Sequence, residues 1–202
     1  MIGPGADPGS ILSSFLLPPC WRSAPGLMLL LDKNYFDLLS LPATFEVDSA
    51  LLESNYRSLL ATVHPDRFVA DSPEQRRLAM QAATLVNEAW RCLRDPVERA
   101  GYICRLAGHP VDANARSAAS AEFLAEQMAW RETLEEARSN SDLPAIAELS
   151  ATVAAAREAM LEQLRLLIDV QPDHQRAAGF VAQLMYVDRF ADQLEDALDP
   201  DH

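Results

Sequence analysis

The sequence contains few cysteines and no long apolar run. Three cysteines occur among the 202 residues, and no two of them form a Cys-X-X-Cys pair. This spacing predicts neither a zinc site nor a disulfide framework, so we expect Cys92 and Cys104 to be small buried side chains. A membrane-spanning helix needs about 20 consecutive apolar residues, and no stretch of the sequence comes near that length. We therefore expect a soluble protein with no membrane partner.

Histidines are also scarce, which limits the chemistry that the chain can perform. The four histidines are scattered, and separated imidazoles are a poor set of metal ligands. A metal-dependent hydrolase that uses His64 and Asp66 with His109 or His174 is a remote alternative, and it predicts stoichiometric bound metal. The sequence offers no evident nucleophile or further ligands for that pair. We expect no enzyme activity, no metal and no cofactor.

Positive charge is in short supply, and the shortage is uneven along the chain. The formal net charge is -13. Residues 28–108 carry nine basic and eleven acidic side chains, whereas residues 109–202 carry seven and eighteen. The acidic C-terminal half argues against a nucleic-acid partner. It favours basic protein partners, or it serves solubility alone.

The sequence does contain two helical patterns on either side of a short polar corner. The first is an apolar stripe from Leu52 to Val63, which follows a capping residue at Asp48. The second begins at Ser72, with a proline in the next position and a glutamine that closes a capping box. Two helices joined by a short polar loop pack antiparallel, so we predict a helical hairpin.

The corner reads His64-Pro65-Asp66, and the tripeptide leaves several interpretations open. Proline and aspartate are common in turns, and a histidine beside them is usually solvated. His64 and Asp66 also have the chemistry of an acid/base or metal pair. As a recognition motif at the tip of the hairpin, the tripeptide alone is weak. The residues around the corner decide between these interpretations.

The order of motifs around the corner resembles a J-domain, the module by which DnaJ-type co-chaperones engage DnaK-type chaperones. A short helix begins near Tyr35, the capped helix and the corner follow, and a second long helix ends in the run from Asn87 to Pro96. That run, continued by Arg99 and Tyr102, resembles more narrowly HscB, the J-protein family of iron–sulfur cluster assembly, in its bacterial form. The resemblance extends from about residue 34 to the C-terminus.

The resemblance implies that the corner docks on a DnaK-type chaperone, HscA, and promotes its ATP hydrolysis. The residues implied in chaperone binding are His64, Pro65, Asp66, Arg67 and Arg57. Arg67 stands where a lysine is common in the family, which keeps the charge but changes the geometry. Arg57 is the one basic residue between Ser49 and Val63, although J-domains generally have a basic face on this helix.

The C-terminal half has the apolar periodicity of three long helices, at about residues 120–140, 143–170 and 172–198. These periods are typical of a coiled-coil-like bundle. Together with the hairpin they predict an all-α protein, with an N-terminal J-domain and a C-terminal three-helix bundle.

The first helix of this bundle has apolar residues on two faces. Its core seam includes Trp130, whereas Leu124 and Met128 fall away from the seam. In the last helix, Tyr186 and Phe190 also fall outside the seam. An apolar patch bordered by carboxylates is typical of a partner site. The alternative is that these side chains pack against another part of the chain.

The family resemblance implies that this face binds IscU, the scaffold protein on which iron–sulfur clusters are assembled. The implied scaffold-binding residues are Leu124, Ala125, Met128, Glu132, Glu136 and Tyr186. The chain is then a co-chaperone that brings the scaffold to HscA. Two alternatives keep the J-domain and give the bundle another client or a role in dimerisation.

The domain organisation follows from these patterns. Residues 1–33 lack a helical period, and we expect them to be disordered or a non-native extension, with the biological start at Met28. We expect the J-domain at 34–97, a connecting helix at 98–110 and the scaffold-binding bundle at 111–202. The resemblance to the bacterial family implies a cytoplasmic protein.

Overall fold

The computed structural model describes residues 24–111 and 120–199, and within them every regular element is a helix. The α-helices are α1 (Ala24–Leu31), α2 (Tyr35–Leu38), α3 (Ser49–Val63), α4 (Pro73–Arg94), α5 (Pro96–Leu106), α6 (Ala121–Asn140), α7 (Leu143–Arg165) and α8 (His174–Leu198). A 3-10 turn spans Pro65–Phe68, and a π-helical turn at Leu166–Val170 follows α7. No helix of the described ranges is long and apolar enough to span a membrane. The all-α prediction is confirmed.

The predicted helix starts are formed by the capping residues that the sequence indicated. Asp48 accepts hydrogen bonds from the backbone N–H groups of Ala50 and Leu51, at 2.8 and 3.1 Å. Ser72 Oγ accepts from the Gln75 N–H at 3.2 Å, and the Gln75 side-chain oxygen accepts from the Ser72 N–H at 3.2 Å. These bonds satisfy N–H groups that a helix start otherwise leaves unpaired, so α3 and α4 begin where local chemistry places them.

The first of two compact units comprises residues 24–40 and 53–90 of the described chain. Its centre is the predicted hairpin of α3 and α4. The rings of Tyr56 and Trp90 stack with their centroids 4.9 Å apart. Tyr56 Oη donates to Asn87 at 3.0 Å, and Trp90 Nε1 donates to Glu53 at 3.0 Å. Because residues late in α4 meet residues early in α3, the two helices run antiparallel.

The second unit comprises residues 41–52, 91–111 and 120–199 of the described chain. In it α7 packs against α6 and α8, and α5 packs on α8. The buried side chains that α6, α7 and α8 share in one cluster are Trp130, Leu134, Ala137, Ile146, Leu149, Val153, Val187, Phe190 and Leu194. The predicted three-helix bundle is thus formed, with α5 as a further helix against it.

Phe190 was expected outside the core of this bundle, and that expectation is wrong. It is only 2% exposed, whereas the helical period had placed it outside the core seam of α8. Its ring stacks on Trp130 of α6, with centroids 5.9 Å apart. The core of α8 is therefore wider than one seam, because α6 and α7 both pack on it. Phe190 is a core residue and contributes no exposed surface.

The segment 41–52 is held in the second unit by side chains distant in sequence. The Asp169 carboxylate, in the π-helical turn, accepts the backbone N–H groups of Phe45 and Glu46 at 2.8 and 3.0 Å. Arg99 Nε donates to the Phe45 carbonyl at 2.7 Å, and its guanidinium lies 5.3 Å from the Phe45 ring centroid. The sequence assigned this segment to the J-domain. The domain boundaries at 34–97, 98–110 and 111–202 stay a prediction.

Helix α1 lies within the stretch where the sequence had no helical period. Leu27 and Leu30 of this helix are buried. The expectation that residues 1–33 are disordered or a non-native extension stays a prediction. Cys104 is fully buried as predicted, and Cys92 is half-buried. Burial raises the pKa of each of these thiols to about 11. The expectations for residues 1–23, including Cys20, lie outside the described residues.

Candidate functional site

The hairpin tip is shaped by the proline at its centre. Helix α3 ends at Val63, and His64 has a non-helical backbone with φ -58° and ψ 128°. A residue before proline is pushed out of the helical region. The chain then makes one 3-10 turn, in which the Arg67 N–H donates to the His64 carbonyl at 3.0 Å. Phe68 closes the turn and is fully buried, which fixes the corner to the hairpin core.

His64 and Asp66 are exposed, and they are ordered by a bond between them. The Asp66 backbone N–H donates to His64 Nδ1 at 3.3 Å, and the Asp66 carboxylate lies 3.6 Å from the same nitrogen. The side chains are 51% and 85% exposed. Because Nδ1 is an acceptor here, the neutral ring has its proton on Nε2. The corner therefore offers an N–H donor and a carboxylate acceptor to a partner.

The two arginines implied in chaperone binding already have partners within the hairpin. An Arg67 guanidinium nitrogen donates to the Ala61 carbonyl at 3.1 Å, near the end of α3. Arg57 Nε donates to Glu53 at 2.7 Å. The other oxygen of Glu53 accepts from Trp90 Nε1. Arg67 thus lies at the corner and caps α3, whereas Arg57 lies about two turns away and forms an ion pair.

The ion pair between Glu53 and Arg57 was not predicted, although the sequence carries a signal for it. Glutamate four residues before arginine is the favourable order for an ion pair along one helix face. Because the carboxylate compensates the only base of α3, the exposed side of this helix has almost no net charge. Arg57 is therefore a weak source of attraction for an acidic partner.

Helix α6 separates its two faces as predicted. Ser120 caps its start by accepting the Phe123 N–H at 3.1 Å. On the face away from the core, Leu124 and Met128 are 43% and 63% exposed. The other implied residues of this helix are also exposed, and they are Ala125, Glu132 and Glu136. The structure brings together an apolar pair with carboxylates one and two turns further along the helix.

Tyr186 is half-buried, and it lies beside α6 rather than free in solvent. Its hydroxyl accepts a hydrogen bond from Arg131 Nε at 2.8 Å, and the Arg131 guanidinium lies 5.2 Å from the ring centroid. The ring also meets Phe123 edge-on, with centroids 6.3 Å apart. Arg131 is three residues after Met128, so Tyr186 borders the exposed face of α6 through this arginine. Sequence reasoning missed Arg131, whose partner is 55 residues away.

The metal-site alternative required three or more ligands at one place. Among the described residues, no group of three or more His, Cys, Asp and Glu side chains has the arrangement to hold a metal ion. His64 and Asp66 form an exposed pair.

Comparisons with known proteins identify the family of the chain. A family model described as the HSCB C-terminal oligomerisation domain matches residues 119–195. The co-chaperone protein HscB homolog of Bordetella petrii is 42% identical over 164 residues, which are 81% of this chain and 95% of that protein. The homolog of Burkholderia multivorans is 42% identical over 167 residues, or 83% and 95%. The chain belongs to the HscB co-chaperone family.

Solved HscB structures have the same fold. The chaperone HscB from Vibrio cholerae matches with a TM-score of 0.73 and 33% identity, over 83% of this chain and 100% of that one. Human co-chaperone protein HscB matches with a TM-score of 0.75 and 27% identity, over 81% of each chain. The Jac1 co-chaperone of Saccharomyces cerevisiae, at 20% identity and a TM-score of 0.65, agrees in fold. The predicted J-domain with a helical C-terminal bundle is confirmed.

Proposed function

We propose that this HscB-family chain is a cytoplasmic co-chaperone of iron–sulfur cluster assembly. It delivers the scaffold protein IscU to the DnaK-type chaperone HscA and stimulates the ATPase activity of HscA. The observation that carries the proposal is the exposed, ordered His64-Pro65-Asp66 corner in a chain whose 42% identical relatives are named co-chaperones. Its own residues break no bond, and it acts through its partners.

The corner acts on the chaperone by binding one of its states better than another. Asp66 and the Nε2–H of His64 form hydrogen bonds with the ATP-bound chaperone that are weaker or absent in its other states. Such a difference in affinity is a coupling free energy between the docking site and the nucleotide site. Pro65 and the buried Phe68 hold the corner in one conformation, so little entropy is lost on docking.

Steady-state ATPase activity of an HscA-type chaperone tests this role. The wild-type chain is expected to stimulate ATP hydrolysis. The stimulation by His64→Gln is expected to be at least about tenfold smaller. Glutamine removes the ring donor and the Asp66 contact at an exposed position. His109→Gln is the matched control, because His109 is exposed and lies away from the corner along the chain. Absence of stimulation by folded wild-type protein would reject the proposal.

The scaffold is proposed to dock on the exposed face of α6. Leu124 and Met128 supply apolar area that is now in water, and its burial is favourable by about 25 cal/mol per Å². Glu132 and Glu136 extend the face with negative charge, which selects a partner with basic residues beside an apolar anchor. Arg131 holds Tyr186 at the border of this face, where its ring adds contact area with little loss of conformational entropy.

Calorimetric titration with the scaffold tests this surface. The double variant Leu124→Ala/Met128→Ala is expected to weaken binding at least about tenfold, since buried apolar anchors dominate interfaces. Leu143→Ala is the control, because Leu143 is another exposed leucine of the same unit, 51% exposed. Circular dichroism confirms that each variant is folded. Equal affinity of the double variant and the control would remove α6 from the interface.

Self-association of the bundle is a second candidate for the same face. The matching family model is described as an oligomerisation domain, and exposed apolar side chains favour association with a second copy. Analytical ultracentrifugation separates the two candidates. If the wild type is a dimer and Leu124→Ala/Met128→Ala is a monomer, self-association through this face is supported. If both are monomers, self-association is rejected and scaffold binding is the remaining candidate.

A further inference from the structure

The charges of the hairpin are distributed unequally between its two helices. The only charged residues of α3 are Glu53 and Arg57, and these two form an ion pair. Helix α4 carries four arginines and two glutamates, which makes it a basic helix in an acidic chain. A partner that approaches the hairpin therefore meets positive charge on α4 and little on α3.

Beyond Arg67 at the corner itself, the next positive charges along the chain are Arg76 and Arg77, near the start of α4. Both side chains are exposed, and neither forms an ion pair with another residue of the described ranges. Met80 follows at helical spacings of four and three residues, so the three side chains share one face of α4. Met80 is 60% exposed. The face thus combines two available guanidinium groups with an exposed apolar side chain.

This face continues the corner along the chain through a short, hydrogen-bonded connection. Four residues separate the 3-10 turn at Pro65–Phe68 from the start of α4. Within them the Asp71 N–H donates to the Phe68 carbonyl at 3.0 Å. Val69, in the same connection, is 68% exposed. One docking partner that covers the corner is therefore within reach of the first turns of α4.

We propose that Arg76, Arg77 and Met80 form a second docking surface for the chaperone, and that they bind a carboxylate-rich part of its surface beside an apolar residue. This inference rests on the proposed function, since the chaperone is the partner that the corner engages. Guanidinium groups form charge-assisted, bidentate hydrogen bonds with carboxylates. Arginine and methionine are both enriched in protein interfaces. Arg57, already paired with Glu53, contributes less than Arg76 or Arg77.

The chain's net charge of -13 favours an acidic protein over a nucleic acid or an anionic membrane as the partner of these two arginines. A nucleic acid or an anionic membrane presents negative charge over a wide area, and the acidic C-terminal half is repelled by it. A folded protein presents its carboxylates as a local patch, which two arginines match. The occupant is therefore an acidic patch on a protein.

Chaperone ATPase activity, titrated with full-length co-chaperone, tests the proposal. The variant Arg76→Glu/Arg77→Glu is compared with Arg91→Glu/Arg189→Glu, which changes the net charge equally at two other exposed arginines. We expect the first variant to raise the half-maximal concentration about tenfold, with maximal stimulation retained, because the corner is intact. The control is expected to stay within about twofold of wild type. The difference is expected to shrink at high salt, where exposed charges are screened.

The outcomes distinguish this inference from the proposed function. If the wild type stimulates, His64→Gln does not, and the two charge variants have equal half-maximal concentrations, the second docking surface is rejected and the proposed function stands. If the wild type neither stimulates the ATP-bound chaperone nor binds it in biolayer interferometry, both are rejected. Binding to anionic lipid vesicles that Arg76→Glu/Arg77→Glu abolishes, with chaperone titrations unchanged, overturns the assignment in favour of a membrane.

Discussion

The corner of the hairpin and the exposed face of α6 are built in different ways. The corner is ordered by bonds between neighbours: Asp66 with His64, Arg67 with Ala61, and the buried Phe68. The residues on the exposed face of α6 are positioned by the helix itself, and their exposure is set by the opposite side of the same helix. There Trp130 is buried in the bundle core. Substitutions of the exposed corner residues His64 and Asp66 should therefore change function and spare stability, whereas in α6 the effect depends on the face.

The largest expected effect is at the buried side of α6. Trp130→Ala removes a ring that stacks on Phe190 in the core, so we expect unfolding free energy to fall by about 3–5 kcal/mol. Met128→Ala, on the exposed face of the same helix, should change it by less than about 0.5 kcal/mol. Urea unfolding followed by circular dichroism measures both. Similar losses for the two variants would refute the division of α6 into a core face and a surface face.

The next largest effect is at a contact that neither surface uses. Asp169→Ala leaves the N–H groups of Phe45 and Glu46 without their acceptor. We expect a loss of about 1–3 kcal/mol of unfolding free energy. Asp192→Ala is the control, since Asp192 is exposed on α8. Faster amide hydrogen exchange at Phe45 and Glu46 in the Asp169 variant would confirm the mechanism, and unchanged exchange would contradict it.

Much of the fold was predictable because its determinants are local. Asp48 specifies the start of α3, Ser72 specifies the start of α4, and Pro65 specifies the end of α3. Each signal acts within a few positions, and the structure has a helix end at each of them. The exposure of Leu124 and Met128 followed from helical period alone. Their side chains are exposed because the core seam of α6 leaves them on the opposite face.

What the sequence left unpredicted depends on residues far apart in the chain. Asp169 binds backbone groups 123 and 124 positions away, and Arg131 binds Tyr186 across 55 positions. Phe190 was assigned to the surface because a single seam was assumed for α8, and its contact with Trp130 was not visible. Such contacts come from tertiary packing, which a one-dimensional period does not encode.

A smaller effect concerns Cys104, which belongs to neither surface. Burial raises its thiol pKa from an ordinary 9.0 to about 11, so the folded state keeps the proton at a pH where the unfolded state loses it. This contribution to stability is present below about pH 9 and is lost as pH rises toward 11. Unfolding free energy should thus fall more steeply over this range in wild type than in Cys104→Ala. Parallel pH profiles would contradict the assignment.

The smallest expected effect is on the stability of the corner itself. His64→Gln changes an exposed side chain whose only described bonds are to Asp66. We expect its unfolding free energy to stay within about 0.5 kcal/mol of wild type, although the proposed activity is lost. Urea unfolding measures this directly. A loss above about 2 kcal/mol would mean that the corner supports the hairpin, and that the activity of the variant reports on folding.

The most direct test of the account is whether the two surfaces serve two partners in one cycle. Chaperone ATPase activity is measured with and without scaffold, using wild type, His64→Gln and Leu124→Ala/Met128→Ala. The account predicts that scaffold amplifies stimulation by wild type, that the α6 variant stimulates without amplification, and that His64→Gln does neither. Amplification that survives in the α6 variant, or stimulation that survives in His64→Gln, would contradict it.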